Sequence, residues 1–265
     1  MPAKYCYWTV VDGEYAEMAK TVIWSARNVG VLEDFHVWTD REVSGAICHE
    51  AGKFDKSGCL FKLTYLRNAV QVLNYDYFIW LDSDSYFVRN PGNILKVMGH
   101  SPIHIALERD LCCPENRRPN WWDCPNATFA ELMRAKGVRS NSIFNVNGGL
   151  FIVQHDVIET VFELAFDFWQ FANSKGYAFN DEPLLAYAMQ MLCGNPYIHT
   201  LRKTADLWAS DWTGHFEGKL PDGQPWWFVD YFTGEKLAVN PAIVHAMRSK
   251  DALIQAATPD RALKK

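Results

Sequence analysis

The sequence predicts an α/β fold with a mixed, mostly parallel central sheet flanked by helices. Three observations predict it: short β-branched and aromatic runs, helical periodicities between them, and one run that is apolar without alternation. Residues 4–11 (KYCYWTVV) read as a first strand, which Asp12-Gly13 breaks. Tyr15, Met18, Ala19, Val22, Ile23 and Ala26 then recur at helical spacing and predict a first helix. His36-Val37-Trp38-Thr39 reads as a second strand, and Leu63, Leu66, Val70 and Leu73 mark a second helix. Tyr77-Phe78-Ile79-Trp80-Leu81 is the continuous apolar run, as expected of a parallel strand covered on both faces. In a sheet built by such alternation, ligands gather at the carboxyl ends of the strands.

Farther along, residues 103–107 and 149–153 read as two more strands, separated by a polar segment (110–142) rich in Pro, Asn, Arg and Cys. That segment is expected to be an irregular insertion or acceptor loop. Asp156-x-x-Glu159 resembles a capping box that opens a helix carrying Val157, Val161, Leu164, Phe168 and Phe171 on one face. Asn180-Asp181-Glu182-Pro183 opens another, with Leu184, Leu185, Ala188 and Leu192 toward the core. Beyond residue 200 the pattern loosens into an expected hairpin or loop region before the apolar stretch Ala242-Ile243-Val244-His245. With no repeat and no linker, residues 1–265 are expected to form one domain. Its first half, to about residue 106, would hold the nucleotide, and residues 107–265 the acceptor.

Composition narrows the function. A chain of 265 residues, 49% of them hydrophobic, can bury a sizeable core. Its net charge of −5 argues against a sequence-independent grip on nucleic acid, which needs clustered cations. The seven cysteines are odd in number and irregularly spaced, which predicts free thiols in a reducing compartment. Cys112, Cys113 and Cys124 lack the paired spacing of a zinc site. The sequence shows neither a secretory h-region nor an apolar stretch of transmembrane length, so a soluble, cytoplasmic protein without a transmembrane segment is expected. Trp121-Trp122, Trp208/Trp212 and Trp226-Trp227 lie in polar stretches, where they suit either flat sugar faces or ordinary packing.

The sharpest signal is Asp82-Ser83-Asp84, directly after the apolar run 77–81. Two carboxylates so close at the end of a buried strand are costly without a cation. A hard divalent ion, Mn²⁺ or Mg²⁺, bound by these oxygens and by the phosphates of a nucleotide diphosphate removes that cost.

At this point YDYFIWLDSDSYFVRNP resembles the D-x-D segment of retaining GT-A glycosyltransferases, with the nearest patterns in glycosyltransferase families 8 and 34. The likeness continues in order. Tyr5 to Tyr15 is similar to the first strand and nucleotide-binding turn, Phe144 to Val153 to the N-x-G strand, Asn180 to Leu185 to the D-Q helix start, and Val244-His245 to the late metal-binding histidine. The resemblance implies a GT-A fold, a nucleotide-sugar donor, for which UDP is the usual base carrier, a glycan or other hydroxyl-bearing acceptor, and retention of anomeric configuration. It implies Asp82, Asp84 and His245 as metal ligands, and a nucleotide site from Thr9 through Val11 and Asp12, with Ser83 beside the first aspartate. Tyr15 would stack on the base or pack under its helix. Lys62, Arg248 and Lys250 would neutralise diphosphate oxygens or remain surface cations. Asn147, Asp181 and Glu182 would surround the reacting carbon, the alternative being that Asp181 caps its helix and Glu182 is solvated. The tail His245-Ala246-Met247-Arg248-Ser249-Lys250 departs from family 8, which has Gly and Lys-Pro-Trp after the histidine.

Three rivals remain. A sugar-1-phosphate nucleotidyltransferase begins with a Gly-rich phosphate loop, whereas the turn here, Val11-Asp12-Gly13-Glu14, has one glycine. A haloacid-dehalogenase-type phosphatase places its D-x-D on the first strand. A catalytically silent carbohydrate-binding protein would not need a cation site.

Overall fold

The computed structural model describes residues 3–13, 15–51, 60–97, 101–113, 119–193, 207–211, 214–217, 226–230, 234 and 236–247. The N-terminal half runs β1 (Tyr5–Val10), α1 (Tyr15–Asn28), β2 (Phe35–Thr39), β3 (Ile47–Glu50), α2 (Phe61–Val72), β4 (Tyr77–Leu81), β5 (Ser85–Phe87) and β6 (Ile103–Asp110). There follow the short strands β7 (Asn120–Trp121) and β8 (Cys124–Pro125), α3 (Asn126–Ala135), β9 (Phe144–Gln154), α4 (Ile158–Ser174) and α5 (Asp181–Cys193). The C-terminal part holds β10 (Trp208–Ser210), β11 (Gly214–Glu217), β12 (Trp226–Asp230), β13 (Lys236–Val239) and β14 (Ile243–His245). A six-stranded sheet has the order β3-β2-β1-β4-β9-β6. The fold is therefore mixed α/β on a mostly parallel sheet, as the alternation of patterns predicts. No helix among the described residues is long and apolar enough to cross a membrane.

The chain divides into two compact units, one of residues 7–52, 81–94 and 201–265, the other of residues 1–6, 53–80 and 95–200. In the first, β1, β2 and β3 pair in parallel, with Val10 opposite Trp38 and Trp38 opposite His49. Helix α1 turns Ala16, Ala19, Val22, Ile23 and Ala26 inward, the face its periodicity predicts. Ser25 Oγ donates to Val22 O at 2.6 Å and accepts the backbone N–H of Phe87 at 3.0 Å, which fastens the helix to β5. Tyr7 stacks on Phe35 at 4.7 Å and meets Phe87 edge-on at 5.5 Å. Each such buried ring stabilises the unit by about 1.5–3 kcal/mol. Strand β14 lies between β10, parallel, and β5, antiparallel. Strands β11, β12 and β13 form an antiparallel sheet, which is the hairpin region expected beyond residue 200.

In the second unit the core aromatic Trp80 stacks on Phe151 of β9 at 5.8 Å and meets Phe61 of α2 edge-on. Helices α4 and α5 are joined by Phe168 stacked on Tyr187 at 4.3 Å. Strands β6 and β9 are antiparallel, with Ile105 opposite Phe151 but Ala106 opposite Asn147. Residues 148–150 therefore stand out of the ladder as a bulge, which frees backbone groups of Gly148.

Three local expectations change. The 110–142 segment is not irregular throughout, because it contains the β7–β8 hairpin and α3, whose Phe129, Ala130, Leu132 and Met133 are buried. The capping box does not form: Val157 is the N-cap of α4 with no side-chain cap bond, and Glu159 instead pairs with Arg67 of α2 at 2.6 Å. The buried stripe of α4 is accordingly Ile158, Val161, Ala165, Phe168 and Ala172. Strand β3 has no apolar pattern and extends the sheet edge through backbone pairing with β2, with His49 stacked on Trp38 at 4.3 Å and 2.8 Å from His36 Nδ1.

Candidate functional site

In the first unit, β4 ends at Leu81 and the chain turns at once, with Ser85 N–H donating to Asp82 O at 3.0 Å. Asp82, Ser83 and Asp84 occupy this turn. Strand β14 pairs with β5 so that His245 lies opposite Ser85, and Ala246 N–H donates to Asp84 O at 2.9 Å. Pairing over some 160 positions of sequence thus carries the histidine to the aspartates. His245 Nε2 lies 3.0 Å from Asp84 Oδ1 and 3.8 Å from Asp82 Oδ2. One ligand atom from each of the three residues lies within 4.8 Å of the others. The imidazole is 2% exposed and fixed on its far side, with Ser210 Oγ 3.1 Å from Nδ1 and Trp208 stacked on the ring at 5.5 Å. A nitrogen and two carboxylates converging in this way are a donor set suited to a divalent cation. Trp208 and Ser210 were not anticipated as parts of this site. Only the parallel register of β10 with β14, which sets Ser210 opposite His245, reveals them.

The predicted nucleotide-binding residues lie around the same end of β1. Thr9 is buried, and its hydroxyl has no hydrogen-bond partner among the described residues. Thr9, Asp82 and Ser83 line one cavity with Leu81 and Val37. Val11 is buried, and its N–H is bonded to Trp38 O at 2.9 Å. Asp12 starts the turn, where Gly13 takes φ +51°, and its carbonyl accepts the N–H of Tyr15 at 3.0 Å. Tyr15 is 40% exposed, so it is not packed beneath its helix. Arg248 and Lys250 lie outside the described residues.

The second unit gathers Lys62, Asn147, Asp181 and Glu182 around the bulge of β9. Lys62, nearly buried, has its ammonium 2.8 Å from Asp181 Oδ2, 3.1 Å from Gly148 O and 4.8 Å from the centre of the Trp80 ring. Glu182, in the first turn of α5, accepts the N–H of Gly148 at 2.8 Å through Oε1 and the indole N–H of Trp122 at 2.9 Å through Oε2. Asn147 Oδ1 accepts the N–H of Gly149 at 2.9 Å, and its amide donates to Glu108 Oε1 at 3.1 Å. Asn145 donates to the other oxygen of Glu108 at 2.7 Å. Burial, then the charges of Glu108 and Asp181, push the Glu182 carboxyl up to about 8. The hydrogen bonds from Gly148 and Trp122 oppose that rise.

The space around Gly148 is tight. A Cβ on it would lie 3.2 Å from Asp181 Oδ2 and Glu182 Cγ and 3.3 Å from Lys62 Nζ. Glu108 and Trp122 are members of this cluster that the sequence left unassigned, although Trp122 belongs to an aromatic pair in a polar stretch. Trp122 and Asp123 form the two-residue loop of the β7–β8 hairpin at φ 50° and 55°. This is the left-handed pair that glycine and asparagine usually fill, at a cost of about 1–3 kcal/mol for each residue that carries a larger side chain.

No known protein family and no curated protein matches the sequence. Among solved structures the chain is similar to the apo structure of WbbM, a bifunctional glycosyltransferase, with a TM-score of 0.61 and 12% sequence identity. The likeness covers 97% of this chain and 50% of that one. The fold is consistent with the GT-A type. The chain spans half the length of the structure it matches, and at 12% identity the likeness speaks for the fold alone. Within this GT-A-type fold, the acidic turn after β4 lies at the carboxyl end of a sheet strand, where ligands of open α/β sheets collect.

Proposed function

We propose that the protein is a metal-dependent glycosyltransferase that moves a hexose or pentose from a nucleotide-sugar, a UDP-sugar by family resemblance, to an acceptor hydroxyl with retention of configuration. The observation that carries this reading is the convergence of Asp82, Asp84 and His245 at the end of β4. The fold shared with a solved glycosyltransferase supports it. Mn²⁺ or Mg²⁺ held by these three residues would supply positive charge to the departing diphosphate. Thr9, Val11, Asp12 and Ser83 would cradle the nucleotide, and the exposed Tyr15 would stack on the base. Lys62 would hold Asp181 and the β9 backbone in place. Asp181, and Glu182 once ionised, would serve the positive charge that develops on the sugar. Asn147, its side chain engaged with Glu108 and Gly149, would support this carboxylate group.

The test is a donor screen. Purified protein is mixed with Mn²⁺ and a panel of nucleotide-sugars, and released nucleoside diphosphate is recorded for wild type and for Asp84→Ala. One donor hydrolysed only with metal, and at least about 100-fold faster by wild type, is the expected result. Turnover that survives chelation or Asp84→Ala would overturn the proposal.

A further inference from the structure

We infer that Trp122 is the platform of an acceptor subsite that takes a pyranose ring, with Glu182 receiving the hydroxyls of that ring. The inference deepens the glycosyltransferase reading and rests on it for the word acceptor. The geometry around Trp122 is costly and specific. Its backbone is left-handed at φ 50°, and Asp123 beside it is at 55°. Its side chain is 40% exposed, and no ring or cation covers it among the described residues. A bulky apolar side chain in a conformation that favours glycine, and left in solvent, has no explanation in packing.

Its neighbour shows the contrast. Trp121 meets the buried Phe129 edge-on at 5.1 Å and anchors the hairpin. Asn126 N–H donates to Pro119 O at 2.8 Å and ties the hairpin ends together. The anchored hairpin presents Trp122 at its turn. The indole N–H donates to Glu182 Oε2, which fixes the ring plane beside the carboxylate. A pyranose has a face of axial C–H groups that stacks on a flat aromatic ring and an equator of hydroxyls that donate to carboxylates. Each Glu182 oxygen has given one acceptor site, to Trp122 and to Gly148, and the carboxyl still faces a sugar hydroxyl, as an O–H donor while protonated and as an acceptor once ionised. Platform and acceptor are thus joined by one hydrogen bond, so a ring on Trp122 has its hydroxyl edge within reach of Glu182.

The experiment uses the full chain and two probes, methyl β-D-galactopyranoside and methyl β-D-glucopyranoside, in saturation-transfer difference NMR titrations. UDP with Mn²⁺ is titrated in parallel by calorimetry. The expected result is saturation of the axial C–H protons of at least one pyranoside. Its affinity should fall about tenfold in Trp122→Ala, the size of one aromatic contact, and stay within about threefold in Trp122→Phe, which keeps the ring and loses only the N–H. UDP binding should be unchanged in both variants, which also reports that they are folded. Equal pyranoside binding by wild type and Trp122→Ala, or no transfer to either pyranoside, overturns the subsite. If the pyranoside signal depends on Trp122 while UDP does not bind, the subsite stands and the transferase reading falls.

Discussion

Ser210 stands behind the candidate cation site, yet it decides what His245 can do there. Its hydroxyl lies on Nδ1 of a buried imidazole whose other nitrogen faces Asp84. With Nδ1–H donating to Ser210, Nε2 presents a lone pair toward the aspartates, and the ring cannot turn away without losing that bond. Ser210→Ala is therefore expected to weaken Mn²⁺ binding by about 10–100-fold, measured by calorimetry on the protein without donor. Folding should be unchanged, as judged by circular dichroism. Lys62 poses the opposite case, because its loss leaves charge buried. Lys62→Met removes the partner of Asp181 at a pair that is less than a tenth exposed, and should cost about 3–5 kcal/mol in urea unfolding. Adding Asp181→Asn should restore part of that loss, since the orphaned charge is then gone. Equal losses for the single and double variants would show that packing on Trp80, not charge, dominates.

At the scale of elements, the β9 bulge positions the carboxylate cluster, and Gly148 is its narrow point. Gly148→Ala forces a methyl group between Asp181, Glu182 and Lys62. Overpacking of this kind is expected to cost about 1–3 kcal/mol, read as a lower denaturation midpoint at unchanged slope. Such elements differ in how far the sequence announces them. Strand β4 is legible because burial on both faces leaves an uninterrupted apolar run, and the acidic pair after it inherits a known place. Helix α1 is legible because its inward face repeats at 3.6 residues. Strand β3 is not, since its side chains are mostly exposed and it is held by backbone pairing with β2. Helix α3 carries a readable stripe at Phe129, Ala130, Leu132 and Met133, but the prolines and cysteines before it mask its start. The aspartates and the late histidine that converge at the candidate cation site could be named from order along the chain. Trp122 could not be joined to Glu182, because the contact spans 60 residues and depends on a hairpin turn that no Gly or Asn announces.

For the whole molecule, two titrating groups shifted by desolvation set opposite slopes of stability with pH. Burial, and then the neighbouring His49, lowers the His36 imidazole to about 4 from its ordinary value of 6.5. His36 is thus neutral in the folded state where the unfolded chain binds a proton, so stability is lost as pH falls from 6.5 to 4. The Glu182 carboxyl is raised to about 8 from 4.5, so the folded state holds a proton that the unfolded chain has released. Its contribution is complete below pH 4.5 and is lost as pH rises to 8. Each slope approaches about 1.4 kcal/mol per pH unit within its window. Between pH 4.5 and 6.5 the two oppose and nearly cancel, and above 6.5 the Glu182 slope acts alone. Urea unfolding of His36→Gln across pH 4–9 should therefore show stability that falls relative to wild type as pH rises from 4 to 6.5, then a constant difference. Glu182→Gln should gain on wild type from pH 4.5 to 8 and run parallel outside that range. If the Glu182→Gln difference does not change with pH, then Glu182 is an ordinary ionised carboxylate, and the crowding of Glu108, Asp181 and Glu182 is already relieved by Lys62.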